Sequence, residues 1–390
     1  MKNIFFKSRI LFLLISLLLI SACTNDINEV QNLNYGTAIG VDYKDNKYHI
    51  YIQMLSLTSI AKTEEGTNAP PQVYISETIG ETFIDAFFKA YRTSQERIIW
   101  AHVTAIVLSE SALKKGIENI YDGLTRYYEF RPTPWVFGTL EPVDDILSTN
   151  GFFNQSSLET ILHSPESSYK QGSWIRPLKL NKFARELLEP VQTTYIPTLT
   201  INKEQWKKNK NAEPKLEING SFFLKNKKFI DFFELNEIKG IRWIASETER
   251  TAILVPSKEN PEFLAVFEEQ YIKIIPIKVN GRYKYDVVFY ANGYISNRLK
   301  NNVLHIRHMQ NFVKDSIIIQ IKDLYHMGVE KNIDFLNLEH QLYLKHHTDW
   351  KQMAAKNEPF FEEDSINDFK AYISLEHSGS FKKRKIEIHD

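Results

Sequence analysis

Apolar positions along this chain recur with two periods, and the places where one period gives way to the other outline its elements. From Gly36 to Leu57 they alternate, with Tyr48, Ile50, Ile52 and Met54 on one face and Lys44-Asp45-Asn46 at a turn, which predicts two half-buried antiparallel strands. The polar stretch Ala61 to Gln72 ends in Pro70-Pro71 and reads as an exposed loop. Phe83, Ala86, Phe87, Ala90 and Tyr91 then step at helical spacing, the β-branched run after Ile98 predicts a central strand to Ser109, and helices follow from Ser111 and over Ile120 to Tyr128. Pro132 and Pro134 bracket a turn before a short strand, Trp135 to Leu140, and this first mixed α/β unit closes near Thr149.

A second unit begins with a predicted helix followed by a loop over Phe152 to Ser168 and a second helix, Leu180 to Leu188, ended by Pro190. The Lys/Asn-rich stretch Asn202 to Pro214 carries little apolar content and is expected as an exposed hairpin loop. Strands return over Leu216 to Phe233, turning at Asn226-Lys227, and Asn236 to Ile244 reads as a short helix with Gly240 and Trp243. In the third unit, strands at Ala252 to Val255, Tyr271 to Val279 and Tyr283 to Tyr294 are joined by Asn280-Gly281, the strongest hairpin signal in the chain. Ile306, Met309, Val313 and Ile317 mark the longest predicted helix, 302–327, followed by a helix over Ile333 to Leu342 and a last strand, Phe369 to Glu376. The fold class expected is therefore α+β: three mixed α/β domains with antiparallel-rich sheets flanked by helices, at 32–150, 151–250 and 251–390.

Composition changes this picture only at the ends. The 390 residues are 43% hydrophobic and 25% charged, which fits a folded protein and argues against disorder or a polytopic membrane protein. Its 48 basic and 48 acidic residues cancel, leaving no overall field to attract nucleic acid. The N-terminus is different. Lys2, Lys7 and Arg9 precede an apolar run from Ile10 to Ile20, the outline of a signal peptide over 1–22 and shorter than the roughly 20 apolar residues a spanning helix needs. Cys23, the single cysteine, follows Ile20-Ser21-Ala22 in a string that resembles the lipobox of bacterial lipoproteins. Cleavage before it would free the thiol for a diacylglyceryl group, leave a tether over 23–31, and leave 45 basic against 48 acidic residues, a net charge of −3. With no second cysteine, no disulfide supports the mature fold.

Motifs for catalysis are sparse. The chain lacks a G-x-S-x-G elbow, an H-E-x-x-H helix, a G-x-G-x-x-G turn and a phosphate loop. Two S-x-x-K strings, Ser111 to Lys114 and Ser167 to Lys170, have no S-D-N or K-T-G partner downstream. His305 and His308 are three apart on the long helix and His346-His347 are adjacent, yet no third ligand stands at a spacing that would complete a metal site. Such histidines belong on a solvated helix surface, with metal binding or pH sensing as the alternative. The acidic pairs Asp144-Asp145 and Glu362-Glu363-Asp364 are too close together for the separated carboxylates of glycoside chemistry. The cluster Lys382-Lys383-Arg384-Lys385 reads as a solvated strand end, with anionic headgroups as its alternative contact. No cofactor and no catalytic residue is assigned.

Taken in order, these landmarks resemble the Ger(x)C family, the lipoprotein C subunits of nutrient germinant receptors. The resemblance runs through Cys23, Glu29-Val30 with Leu33, Ile39-Gly40-Val41-Asp42, His102 to Glu110, Ala112 with Gly116-Ile117, and Gly123, Arg126 and Arg131. It continues through Gly220 to Leu224, Gly240, Trp243, Asp334-Phe335 and Trp350. Thr24 stands where the family often has Trp, and Asn337 and Glu339 stand where it often has glycine. Asn tolerates a left-handed backbone; Glu339 would be strained there. The resemblance implies a non-enzymatic protein of three α/β domains, lipid-anchored on the outer face of the spore inner membrane, working with the integral membrane A and B subunits. His102, Glu110, Arg126 and Arg131 are expected to form either a partner-facing or interdomain polar network or simply to satisfy carbonyls inside the first domain. The competing plan, a lipid-anchored solute-binding protein that serves a transporter, normally shows two similar lobes around a cleft, and the late hairpin followed by one long helix fits that plan poorly.

Overall fold

The computed structural model describes residues 34–55, 72–126, 129–153, 155–245, 247–299 and 305–376. The signal segment, Cys23 with its tether, most of the loop expected at Ala61 to Gln72, and the cluster Lys382 to Lys385 lie outside them.

Alternating apolar residues build the first strands as the pattern predicts. β1 (Asn34–Lys44) and β2 (Lys47–Leu55) pair antiparallel around a turn in which Asp45 and Asn46 take positive φ, and β3 (Val73–Gly80) adds to β2. After α1 (Phe83–Lys89) come β4 (Ile98–Ile99), β5 (Ala105–Ser109), α2 (Glu110–Lys115), α3 (Glu118–Arg126), β6 (Trp135–Thr139) and α4 (Val143–Ser148). The chain goes on through α5 (Pro165–Gln171), β7 (Leu178–Lys179), α6 (Leu180–Leu188), β8 (Thr193–Asn202), the small hairpin β9 (Lys207–Lys208) and β10 (Asn211–Ala212), β11 (Lys215–Lys225) and β12 (Lys228–Glu234).

Ten of these strands form one sheet, in the order β12-β11-β8-β6-β5-β1-β2-β3 with β4 on β1 and β7 on β6. Its centre, β8-β6-β5-β1, is parallel, and each flank is an antiparallel hairpin. The centre is covered on both faces, which is why Ala105 to Ser109 is buried throughout. Apolar residues of α1, α2, α3 and α6 pack on one face and those of α4 on the other.

The sheet runs across position 150, where the sequence pattern places a boundary between first and second units. Strands β8, β11 and β12 from beyond that position extend the sheet that β1 begins. Position 150 therefore lies between two strands of one sheet. The stretch Phe152 to Ser168, expected as a helix followed by a loop, instead holds a 3-10 turn, Ser157–Glu159, before α5, because Ser156 caps Leu158 and Pro165 opens the helix that follows.

The remaining residues form a four-stranded sheet, β13 (Thr251–Val255), β14 (Phe263–Val279), β15 (Arg282–Arg298) and β16 (Ile366–Glu376), preceded by the single turn α7 (Ile241–Ile244). Asn280 (φ 51°) and Gly281 (φ 81°) make the tight turn between β14 and β15. The long helix α8 (Ile306–Lys331) lays Met309, Val313, Ile317, Ile321 and Leu324 on this sheet and stops at Asn332, whose left-handed backbone closes it. Short helices α9 (Leu338–Lys345) and α10 (His347–Ala355) lead to β16, so the predicted helix at Ile333 begins five residues later. The core of this unit also takes in Phe223 and Phe233 from the ten-stranded sheet, so both sheets contribute to one apolar cluster, distinct from the two clusters on the faces of the ten-stranded sheet. The class is α+β.

Candidate functional site

The four residues singled out from the sequence occupy separate local positions. His102 closes a 3-10 turn and sets its ring edge against Tyr35, 5.0 Å between centroids. Glu110 opens α2 and pairs with Lys114 at 2.8 Å, and Arg126 ends α3 and pairs with Asp122 at 3.3 Å. Arg131 lies exposed in the turn before β6. Ser111 and Lys114 do not meet as a catalytic pair: the hydroxyl is spent on Asp42, the ammonium on Glu110. Among the described residues no group of three or more His, Cys, Asp or Glu is placed to hold a metal ion.

Two buried polar constellations in the first half tie distant segments together. Asp42, at the end of β1, takes the hydroxyls of Ser109 and Ser111, each at 2.5 Å, the Tyr43 N–H at 2.8 Å, and the Lys44 ammonium at 2.6 Å. Burial pushes its carboxyl up, but Lys44 and these donors outweigh burial and hold it below the usual range. Ser109 caps α2 as well, so this carboxylate fixes where the helix starts. Towards the other end of the β1–β2 pair Gln53 gives its amide nitrogen to the Leu147 carbonyl at 2.5 Å, and its oxygen faces Nε2 of His163 at 3.0 Å. Nε2 therefore donates and Nδ1 accepts from Thr104, 2.6 Å away. Burial pushes His163 down to about 3, so the ring is neutral and structural.

The densest polar arrangement joins the two sheets. Phe335 inserts between Phe223 and Phe233, its ring edge-on to both at 4.8 and 5.3 Å. Asn337 sits beside it in the left-handed conformation, φ 56°, and its side chain acts as a strand would: Oδ1 accepts the Thr193 N–H at 2.7 Å and Nδ2 donates to the Thr193 carbonyl at 3.1 Å. Glu339, 7% exposed, accepts from Lys225 of β11 at 2.5 Å and from the Trp350 indole at 3.2 Å. It occupies the first turn of α9, so the strain expected at this position does not arise. Asp334 caps that helix, accepting from Leu338 N at 2.9 Å and Glu339 N at 2.8 Å. Buried to 1% exposure, its carboxyl is pushed up to about 6 by desolvation, against the pull of the two N–H groups and Lys225.

A second cross-link lies on the same side of the molecule. Buried Arg176 bonds Glu186 of α6 at 3.2 Å and approaches Glu247 at 3.5 Å, while Glu186 also accepts from Thr194 at 2.8 Å. Glu247 in turn takes the Lys182 ammonium. A cleft of about 450 Å³ opens here, lined by Tyr169, Arg176, Lys179, Lys182, Arg185 and Glu247. Most of its cations are committed, Lys179 to Glu166 at 3.5 Å, which makes it a cross-linked surface rather than a cradle for a charged ligand.

Sequence reasoning missed Thr193, Lys225, Gln53 and His163. Their partners lie 144, 114 and 110 residues away, and nothing local marks such pairs. The signals in the chain that fall at the seam are Asp334-Phe335, Asn337, Glu339 and Trp350, which the family resemblance singles out.

Two family descriptions match the chain, and the boundary between them falls inside the ten-stranded sheet. The description "Spore germination protein N-terminal domain" matches residues 26–201, and "Spore germination B3/GerAC like, C-terminal" matches residues 218–379. The chain belongs to the Ger(x)C family. Spore germination protein KC of Bacillus subtilis (strain 168) is 22% identical over 392 residues, covering 94% of each chain. YfkR of the same strain is 23% identical over 258 residues, and the match spans 65% of either chain. The crystal structure of the GerBC protein has the same fold, with a TM-score of 0.50 and 13% identity over 87% of this chain and 97% of that one. In this Ger(x)C protein the matched segments end and begin within β8 and β11, the strands whose Thr193 and Lys225 reach across to Asn337 and Glu339.

Proposed function

We propose that this Ger(x)C protein is the C subunit of a nutrient germinant receptor. It is held by an acylated Cys23 on the outer face of the spore inner membrane and acts without catalysis as a rigid scaffold beside the integral membrane A and B subunits. The observation that carries the reading is the seam: a body whose two sheets contribute to one apolar cluster and are locked by Asn337 and Glu339 is suited to transmit contacts rather than to open and close on a ligand. Among the described residues no helix is long and apolar enough to cross a membrane, so in this reading the attachment comes from the lipid. Tethering raises the effective concentration at the membrane subunits, so that modest contacts give a stable complex.

The test is Cys23→Ala. The variant is expected to be released from the membrane fraction by a high-salt wash and to make spores unresponsive to nutrient; a variant that resists the wash in spores that germinate normally overturns the reading. Within it, His102, Glu110, Arg126 and Arg131 are proposed as partner-facing, since His102, Arg126 and Arg131 are exposed and Glu110 is partly so. Arg126→Glu is expected to leave the unfolding midpoint unchanged and to weaken co-purification with the membrane subunits. A variant that folds and assembles like the parent removes the partner-facing role.

A further inference from the structure

The hairpin that continues β8 and β11 past their last pair, Asn202 with Lys215, carries an arrangement that the scaffold role does not use. Its turn, Asn209-Lys210, has both residues at positive φ (50° and 75°), and its stem is closed by the Glu213 N–H donating to the Trp206 carbonyl at 2.9 Å. Trp206 is 47% exposed and meets the edge of Phe152 at 4.9 Å. The adjoining Phe153, 92% exposed, stands at φ 55°, a conformation that a bulky side chain rarely adopts. Lys215 lies over the Phe152 ring at 4.9 Å and pairs with Glu213 at 2.9 Å. Lys203, Lys207, Lys208 and Lys210 are all exposed along the hairpin. Two segments fifty residues apart thus converge on one aromatic tip ringed by lysines.

We propose that this tip inserts Phe153 and Trp206 at the surface of an anionic bilayer, with the hairpin lysines on the headgroups. A phenylalanine side chain held out in water on a strained backbone gains by entering the acyl boundary, and Trp is at home at that depth. The charge is complementary: between Lys203 and Lys215 there are five lysines and two glutamates. Lysine also argues against a protein partner, because protein interfaces are depleted in Lys and enriched in Arg, and the hairpin has no arginine. The contact is independent of Cys23.

The test uses the full chain with Cys23→Ser, which removes acylation and leaves a new cysteine as the sole labelling site. Phe153→Cys is labelled with an environment-sensitive fluorophore and compared with label at Lys356→Cys, an exposed position of the C-terminal unit. On vesicles of phosphatidylglycerol and brominated phosphatidylcholine, the label at 153 is expected to shift to the blue and to be quenched at least twofold more than the label at 356. Lys207→Glu with Lys208→Glu is expected to abolish the difference. If the label at 153 stays in an aqueous environment on vesicle-bound protein, or is quenched no more than that at 356, the proposal fails and the tip belongs to a protein partner. Equal quenching on vesicles lacking phosphatidylglycerol overturns the role given to the lysines. Because Cys23 is already replaced, none of these outcomes depends on whether the protein is acylated.

Discussion

Trp243→Ala is expected to lower the unfolding free energy by about 3 to 5 kcal/mol, the range for emptying a buried aromatic site. Trp243 is fully buried, with its ring edge-on to Phe267 at 5.8 Å and Phe289 at 6.1 Å. Its indole N–H donates to Gln320 Oε1 at 2.8 Å, tying α7 to α8. The space cannot collapse readily, because Gly240 already lies so close that a Cβ there would stand 2.4 Å from the Gln320 carbonyl oxygen. The indole also forms one wall around Arg242, a residue 4% exposed whose guanidinium lies 4.9 Å from the Trp243 ring and 4.5 Å from that of Trp174. Burial pushes Arg242 down to about 10, and Gln320 accepts from it at 3.1 Å. Loss of Trp243 therefore removes packing, a hydrogen bond and part of the surroundings of a buried cation at once. Denaturant midpoints of the parent and of Trp243→Ala measure the effect. Trp174→Ala, on the half-exposed side of the same cation, is the comparison and is expected to cost clearly less.

The second large effect concerns pH and Asp334. Its carboxyl is raised in the folded protein to about 6 from an ordinary 3.8, so between those values the folded state holds a proton that the unfolded state has lost. The resulting stabilisation is fully present below the unfolded value and is lost as pH rises through 6. From neutral pH down to about pH 4.5, this one group is expected to add about 2 kcal/mol, against the general weakening that other carboxylates bring on acidification. Asp334→Asn removes that component. It also leaves an amide nitrogen facing one of the two N–H groups of α9, a loss of about 1 to 3 kcal/mol set against the relief of an ionised buried group. Denaturant unfolding of both proteins at the two pH values decides it. The parent is expected to gain on the variant as pH falls, and a constant gap would mean that Asp334 is already neutral, or equally ionised, across the range.

These expectations draw on positions that differ in how far they could be read from the chain alone. The turn at Asn280-Gly281 and the face of Ile306, Met309, Val313 and Ile317 follow from local residue chemistry, and the structure has both as expected. Asn337 is an intermediate case. Its tolerance of a left-handed backbone is a property of the residue, but that it clasps Thr193 depends on a strand 144 residues away. Glu339 shows the limit more sharply: at a position where the resemblance places glycine it is expected to be strained, whereas Lys225 and Trp350 make it a buried, paired carboxylate in a helix. The hairpin at Asn202 to Pro214 was legible as a hairpin, while its contact with Phe152 was not, because that phenylalanine belongs to a stretch whose spacing reads as helix.

Side-chain type and spacing by themselves established the strands, the long helix, the main turns, the α+β class and the family likeness, since each depends on interactions within a few residues or on the order of such segments. Chain folding alone settled that strands on both sides of position 150 form one sheet, that the two sheets contribute to one apolar cluster, and which polar groups cross the seam. Those outcomes depend on burial. A carboxylate or an amide is costly inside unless a partner meets it, and the residue that supplies the partner is chosen by where the whole chain passes rather than by its neighbours in sequence.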